Sequence, residues 1–320
     1  MIKYSVIVPL FNEEAVVCET HKRLSAVMNQ TDGEYEIIFV NDGSRDSTET
    51  LVKQIMQNDS HVCLINFSRN FGHQTAISAG MDNARGQAIV VIDADLQDPP
   101  EVILEMIARW KEGYDVVYGK RSVREGETVF KKATAKIFYR FLASLTDIDI
   151  PTDTGDFRLI DRKVCDAMKT LKEKNRYIRG LVSWLGFKQT SVPYVRKERF
   201  AGETKYPLKK MLSFAGDAVT SFSDKPLKIA GYAGYLLSFI SFIYLLYVVI
   251  RKITVGDFGE GWASIVAINL FFNGVILIVL GIMGEYIGRI YDECKNRPLY
   301  VIAEKLGFDD DSDNEKKINS

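Results

Sequence analysis

The residues best placed to do chemistry stand at 93–98, where Asp93, Asp95, Gln97 and Asp98 follow the apolar run Ile89–Ile92. Like charges this close repel, so they need a reason to share one point. A divalent cation supplies one: Mg²⁺ takes one or two carboxylates and completes its shell with substrate phosphates. Taken alone, Asp-Ala-Asp also fits a polar turn closed by Pro99 and Pro100. Polar clusters also follow the apolar runs that end near Leu10 and Val40, at Asn12–Glu14 and Asn41–Ser44. A carboxylate in the second of these can accept hydrogen bonds from a base or ribose. No G-x-G-x-x-G follows the first run and no G-x-x-x-x-G-K-[ST] occurs, which argues against a dinucleotide enzyme and a P-loop nucleotidase. A nucleoside diphosphate joined to another group fits what remains.

These clusters share a crevice only if the runs before them lie side by side. Short apolar, β-branched runs at Tyr4–Val8, Glu36–Val40, Val62–Phe67, Ala88–Ile92 and Asp115–Tyr118 predict strands. Helical spacing recurs near Glu13–Met28, Ser47–Asn58, Gln74–Ala84 and Pro100–Lys111. Such alternation predicts an α/β fold with a mostly parallel, doubly wound sheet, whose ligands bind at the carboxyl ends of the strands. Asn12 is expected to cap the first helix, Asp46 or Ser47 the second, and Pro99 and Pro100 suit the first turn of the fourth. His73 reads as a loop residue or helix cap, and Arg158 as a salt-bridge partner of Asp156.

The chain has 320 residues with 41 Lys and Arg against 42 Asp and Glu, so nothing points to nucleic acid. Cys18, Cys63, Cys165 and Cys294 are widely spaced and read as reduced, mostly buried thiols of a cytoplasmic protein. The amino-terminal apolar run meets acids too soon for a signal peptide. Ile229–Ile250 and Gly261–Gly284 carry no charge, and each exceeds the roughly 20 residues needed to cross a bilayer. They predict a membrane hairpin. Lys205, Lys209, Lys210, Lys225 and Lys228 precede it, and Arg289, Lys295 and Arg297 follow it, which places both ends in the cytoplasm. Gly284 and Gly288 read either as a small-xxx-small packing face or as local backbone fit. The expected organisation is a catalytic domain over 1–204, an amphipathic juxtamembrane segment over 205–228, a hairpin over 229–288 (spans 229–250 and 261–284), and a cytoplasmic tail over 289–320. The acidic stretch 309–320 is expected to be disordered.

The blocks VIVPLFNEE (6–14), VNDGSRDST (40–48), NFSRNFGHQTAISAG (66–80), DADLQDPPE (93–101), GKRSVREGET (119–128) and TGDFRLIDRKV (154–164) resemble family 2 glycosyltransferases. With the hairpin and GEYIGRIYDECKNRPLY (284–300), the likeness is greatest to polyprenyl-phosphate glycosyltransferases of the bactoprenol glucosyltransferase and dolichol-phosphate mannosyltransferase kind. The resemblance covers residues 1 to 305. It implies a glycosyltransferase-A type, Rossmann-like sheet, followed by an interfacial helix and the hairpin. It also implies inverting transfer of a sugar from a UDP-sugar to undecaprenyl phosphate at the inner face of the cell membrane, with Mg²⁺ or Mn²⁺. Glucose is the favoured sugar, with N-acetylglucosamine and mannose as alternatives; a homotetramer is implied. On that resemblance Asp93, Asp95 and Gln97 hold metal and diphosphate, and Asp93 also contacts the nucleotide-sugar. Pro9, Glu13 and Asp42 hold the nucleoside. Asp156 stands with Asp95 at the reacting centre, and Arg121, Arg124 and Lys205 grip the acceptor phosphate. A processive synthase would carry a Q-x-x-R-W motif and more spans, which this chain lacks. An inactive lipid-binding scaffold would not need the intact acidic cluster.

Overall fold

The computed structural model of the chain describes residues 1–122, 154–196, 225–255 and 261–308. The chain forms two compact units. Of the described residues, one comprises 1–122, 154–196 and 297–308, and the other 225–255 and 261–296.

The first unit is built on an eight-stranded sheet. Its strands are β1 (Tyr4–Leu10), β2 (Tyr35–Asn41), β3 (Val62–Phe67), β4 (Ala88–Val91), β5 (Val116–Arg121), β6 (Thr154–Asp161), β7 (Gln189–Tyr194) and β8 (Ile302–Leu306). They lie in the order β7-β5-β6-β4-β1-β2-β3-β8. The central four are parallel, with Tyr4 opposite both Tyr35 and Ala88. The chain moves outward from β1 through β2 to β3, then returns to place β4 on the other side of β1. That reversal opens a crevice beyond the carboxyl ends of β1 and β4. The expected α/β sheet is therefore present, but it is mixed: β6 runs antiparallel to β4 and β5, and β8 antiparallel to β3.

Helices α1 (Val17–Met28), α2 (Thr48–Asn58), α3 (His73–Asn83), α4 (Val102–Lys111), α5 (Arg162–Thr170) and α6 (Ile178–Trp184) complete the layers. β1 to β4 are buried along their whole length, which is why they read as unbroken apolar runs. Alternate positions of the strands, including Tyr4, Val6, Val8, Ile37, Phe39, Leu64 and Val90, feed one core with Leu24 and Met28 of α1 and Ile103 and Met106 of α4. Each such side chain contributes about 1.5–3 kcal/mol by leaving water. β7 carries Pro193 at the sheet's edge, where a missing N–H costs no ladder bond. β8 is stitched to β3 by side chains as well as backbone: Glu304 accepts from Asn66 at 2.9 Å and pairs with Lys53 at 2.7 Å. Tyr300 stacks on Phe67 and donates to Asp82.

Two long helices, α7 (Lys225–Val255, 31 residues) and α8 (Trp262–Cys294, 33 residues), belong to the second unit. Both are apolar and long enough to cross a membrane. α7 overruns its uncharged segment at both ends and α8 at its carboxyl end, so half of the expected 251–260 link, up to Val255, is helical. Between them, α7 presents Ala230, Gly234, Ser238 and Ser241 towards Phe272, Val275 and Val279 of α8. A Cβ added at Gly234, Gly284 or Gly288 meets nothing within 4 Å among the described residues. Only Cys63 and Cys165 of the four free thiols are buried; Cys18 and Cys294 are exposed, against the expectation of mostly buried cysteines. The amphipathic segment up to residue 224, Arg124, Lys205 and the stretch 309–320 lie outside the described residues.

Candidate active site

The crevice floor is set by two interlocked loops after β1 and β2. Asn12, at φ 53°, donates its backbone N–H to Ser44 and accepts from the Arg45 amide through its side chain. It therefore ties the loops together and does not cap α1, which starts only at Val17. Glu13 donates its amide to Thr48, and Glu14 accepts from the Ser47 amide. Asp46 accepts from the Thr48 amide and hydroxyl, so it serves the start of α2 as expected. Pro99 and Pro100 precede α4 and offer their carbonyls to Val102 and Ile103. Pro9 is buried within β1 beside Val40. Asp42 is buried, and its two oxygens accept the amides of Phe71 and Gly72 at 2.6 and 2.9 Å. Burial pushes its carboxyl above the usual range despite those bonds. Gly43 explains why the loop after β3 can come so close: a Cβ there would sit 2.6 Å from the Arg69 backbone, and its φ is +67°.

Asp42 thus braces the segment that delivers His73 and Gln74 at the start of α3. His73 stands between two carboxylates, its Nε2 3.4 Å from Asp93 Oδ1 and 3.4 Å from Asp156 Oδ2. Burial would lower its pKa, but Asp93 and Asp156 push it up to about 9. It is a member of the site, which corrects its reading as a mere loop or cap residue. Asp156, on β6, is buried and accepts from Gln74 at 3.0 Å and from Arg179 Nε at 2.8 Å. Against the effect of burial, Arg179 and His73 hold its carboxyl well below the usual carboxylate range. Arg158 is not its ion-pair partner. The Arg158 side chain is buried and donates to the backbone carbonyls of Gly155 and Asp156, and burial lowers its pKa to about 10.

The acidic cluster lies just past β4. Asp93 Oδ1 is buried with no hydrogen-bond partner. Its pKa rises to about 6, first through burial and then through Asp156, Asp98 and Asp95, with His73 opposing. Leu96, buried, adopts φ 57°, and the Gln97 amide closes the turn onto Asp95 at 3.1 Å. A non-glycine residue held at positive φ costs about 1–3 kcal/mol and tends to mark a working site. Asp98 is buried, accepts the Tyr194 hydroxyl, and is raised in pKa by burial. Arg121 ends β5, 3.4 Å from that hydroxyl. Gln97 turns its side-chain oxygen to Arg196 at 2.6 Å.

The structure therefore brings Asp93, Asp95, Asp98, Asp156 and Arg121 to one edge of the sheet, with Asp42 and Glu13 along the same edge. Among the described residues no three His, Cys, Asp or Glu side chains are already arranged around a metal position. The donor set nonetheless fits a hard cation: a buried carboxylate oxygen without a hydrogen bond, surrounded by further carboxylates. Gln74, Arg179, Tyr194 and Arg196 went unnoticed in the sequence. Their partners are remote in the chain; Gln74 falls within the 66–80 block, whereas no local motif marks Arg179, Tyr194 and Arg196.

Residues 5–168 match the family described as Glycosyl transferase family 2. The chain belongs to that family. Residues 225–290 match a second description, the GtrB C-terminal hairpin. As a family 2 glycosyltransferase the chain is an enzyme with a glycosyltransferase-A-like sheet. It is 60% identical over 308 residues to the uncharacterized glycosyltransferase YkcC of Bacillus subtilis, covering 96% of this chain and 95% of that one. It is 40% identical over 301 residues to the prophage bactoprenol glucosyl transferase homolog of Escherichia coli, covering 94% and 98%. It is 41% identical to the bactoprenol glucosyl transferase of Shigella phage SfII, covering 94% and 97%.

Proposed function

We propose that this family 2 enzyme transfers glucose, with inversion, from UDP-glucose to a polyprenyl phosphate at a membrane surface. The observation that carries the reading is the near full-length similarity to bactoprenol glucosyl transferases, catalytic unit and hairpin together. In a single displacement, an acceptor phosphate oxygen bonds to the sugar C1 as the bond from C1 to the UDP oxygen breaks. The acceptor is already anionic near neutral pH, its second pKa being about 6, so it needs little help from a base. Asp42 and Glu13, with Pro9 nearby, would hold the nucleoside. Asp93 and Asp95 are the residues that would hold Mg²⁺ or Mn²⁺, and such an ion neutralises charge on the departing diphosphate. Gln97, turned to Arg196, fits the metal shell less well than the two carboxylates. Arg121, with Arg124 and Lys205, grips the acceptor phosphate; a guanidinium fork suits it.

The hairpin gives this chemistry its location. A polyprenol does not leave the bilayer cheaply, each buried CH₂ being worth about 0.8 kcal/mol. α7 and α8 span the membrane with both ends on the cytoplasmic side, where nucleotide-sugars are found, and the flanking cations support that orientation. The test is to incubate the detergent-purified protein with Mg²⁺, undecaprenyl phosphate and labelled UDP-glucose, UDP-N-acetylglucosamine or GDP-mannose. Label should enter the organic phase with UDP-glucose above the others. No lipid-linked product with any donor refutes the proposal; a clear preference for another donor moves the sugar assignment alone.

A further inference from the structure

The transfer scheme leaves His73, Gln74 and Arg179 without a task, yet all three converge on Asp156. A carboxylate offers about four lone-pair sites. At Asp156, Oδ1 meets Arg179 Nε at 2.8 Å, and Oδ2 meets Gln74 Nε2 at 3.0 Å and Arg179 NH2 at 3.4 Å. His73 Nε2 stands a further 3.4 Å from Oδ2. Gln74 is fixed in turn, because its Oε1 accepts the Ile178 amide at the start of α6. An anion so fully engaged has little capacity left to take a proton from an acceptor. The exposures point the same way: the Asp156 side chain is 6% exposed, whereas Arg179 is 31% and His73 39%. The buried member is the anion, and the members that reach solvent are the nitrogen bases.

Arg179 has five N–H donors. Asp156 takes two of them, and the Thr154 carbonyl takes one from NH1 at 3.0 Å. Two donors remain among the described contacts, one on each terminal nitrogen, a number that matches the two-point binding of an oxyanion. Every substrate in the proposed reaction presents phosphate oxygens. We propose that Arg179 is a further phosphate-binding residue of the crevice and that Asp156 is its positioning residue, not a general base. This rests on the glycosyl-transfer reading above. The phosphate is either the donor's diphosphate or the acceptor's monoester, and both present the same oxyanion.

The test uses the full chain in detergent with Mg²⁺, in wild type, Arg179→Gln, Arg179→Lys and Asp156→Asn. UDP binding is titrated calorimetrically, and KM for undecaprenyl phosphate is measured at saturating UDP-glucose. Losing a charged hydrogen-bond pair should weaken one readout about tenfold or more in Arg179→Gln. A weaker UDP Kd assigns the donor diphosphate, and a raised acceptor KM assigns the acceptor phosphate. Arg179→Lys keeps the charge without the fork and should fall between, which also covers the case in which Arg179→Gln does not fold. Asp156→Asn should shift the same readout as Arg179→Gln. The inference is overturned if folded Arg179→Gln and Arg179→Lys leave both readouts within about twofold, or if Asp156→Asn lowers kcat alone, as loss of a base would. Should wild type make no lipid-linked product, the glycosyl-transfer reading fails, while UDP titration of the variants still reports on Arg179.

Discussion

Replacing Gly155 with alanine tests Arg121 without touching its charge. Gly155 lies beside Asp156 on β6, and a Cβ added there would come 2.8 Å from Arg121 NH2, with Asp98 Oδ2 next at 3.7 Å. Ordinary contact begins near 3.4 Å, so the guanidinium must retreat by about 0.6 Å. The obstacle is the far end of a flexible side chain, and alanine is favoured over glycine within a strand by about 0.5–1 kcal/mol, so the fold should be nearly unaffected. Function should not be. A misplacement of about 1 Å at a positioned group can cost on the order of a hundredfold, so a shift of roughly half that predicts about a tenfold rise in KM for the acceptor. The assay is initial rate against undecaprenyl phosphate at saturating donor, with a thermal melt as the control for folding. A folded variant whose acceptor KM and kcat both stay within about twofold of wild type refutes the assignment of Arg121 to the acceptor phosphate.

Asp93→Asn should abolish metal-dependent transfer yet raise the melting temperature of the metal-free protein at pH 7. The Asp93 pKa is raised from 3.8 to about 6, so its ionisation costs stability, absent below about pH 4 and complete above about pH 6. Melts in chelator from pH 4 to 8 check this, and a variant no more stable than wild type at pH 7 contradicts it. Asp95→Ala should remove transfer while leaving circular dichroism unchanged; full activity would remove Asp95 from the metal site. Asp59 accepts from His21 and from the His61 ring and amide. Although burial opposes them, the His61 amide and the two imidazoles hold its pKa down to about 2. Its contribution to stability is therefore present above about pH 4 and lost as pH falls towards 2. Asp59→Asn should lower the urea midpoint at pH 7, and the gap to wild type should narrow below pH 4; a constant gap would show that the ionised carboxylate is not what matters.

How far the chain can be read without coordinates depends on where each residue's partner sits. β1 to β4 are legible because strands buried on both faces are unbroken apolar runs, and the acidic cluster is legible because it directly follows one of them. β6 is not. Asp156 and Arg158 interrupt its pattern, and they are tolerated inside only because Arg179, Gln74 and the carbonyls of Gly155 and Asp156 satisfy them. β7 hides behind Pro193 and its polar residues, and β8 lies beyond two apolar helices. Among the site residues, Asp93, Asp95 and Asp98 announce themselves by crowding. Arg179 cannot, since it becomes meaningful only beside a carboxylate on β6. Gln97 shows the reverse: its type suits a cation, but Arg196 takes its oxygen.

The place of β8 bears on how this molecule is made. The β3 edge of the sheet is closed by a strand synthesised only after both apolar helices. During synthesis, β3 therefore presents an open row of amides and carbonyls until both long apolar helices have been made. An unpaired edge of that kind is a template for pairing with other chains. Completion of the sheet thus waits on the two long helices: any delay before Ile302 is made lengthens the interval in which the half-finished domain can aggregate.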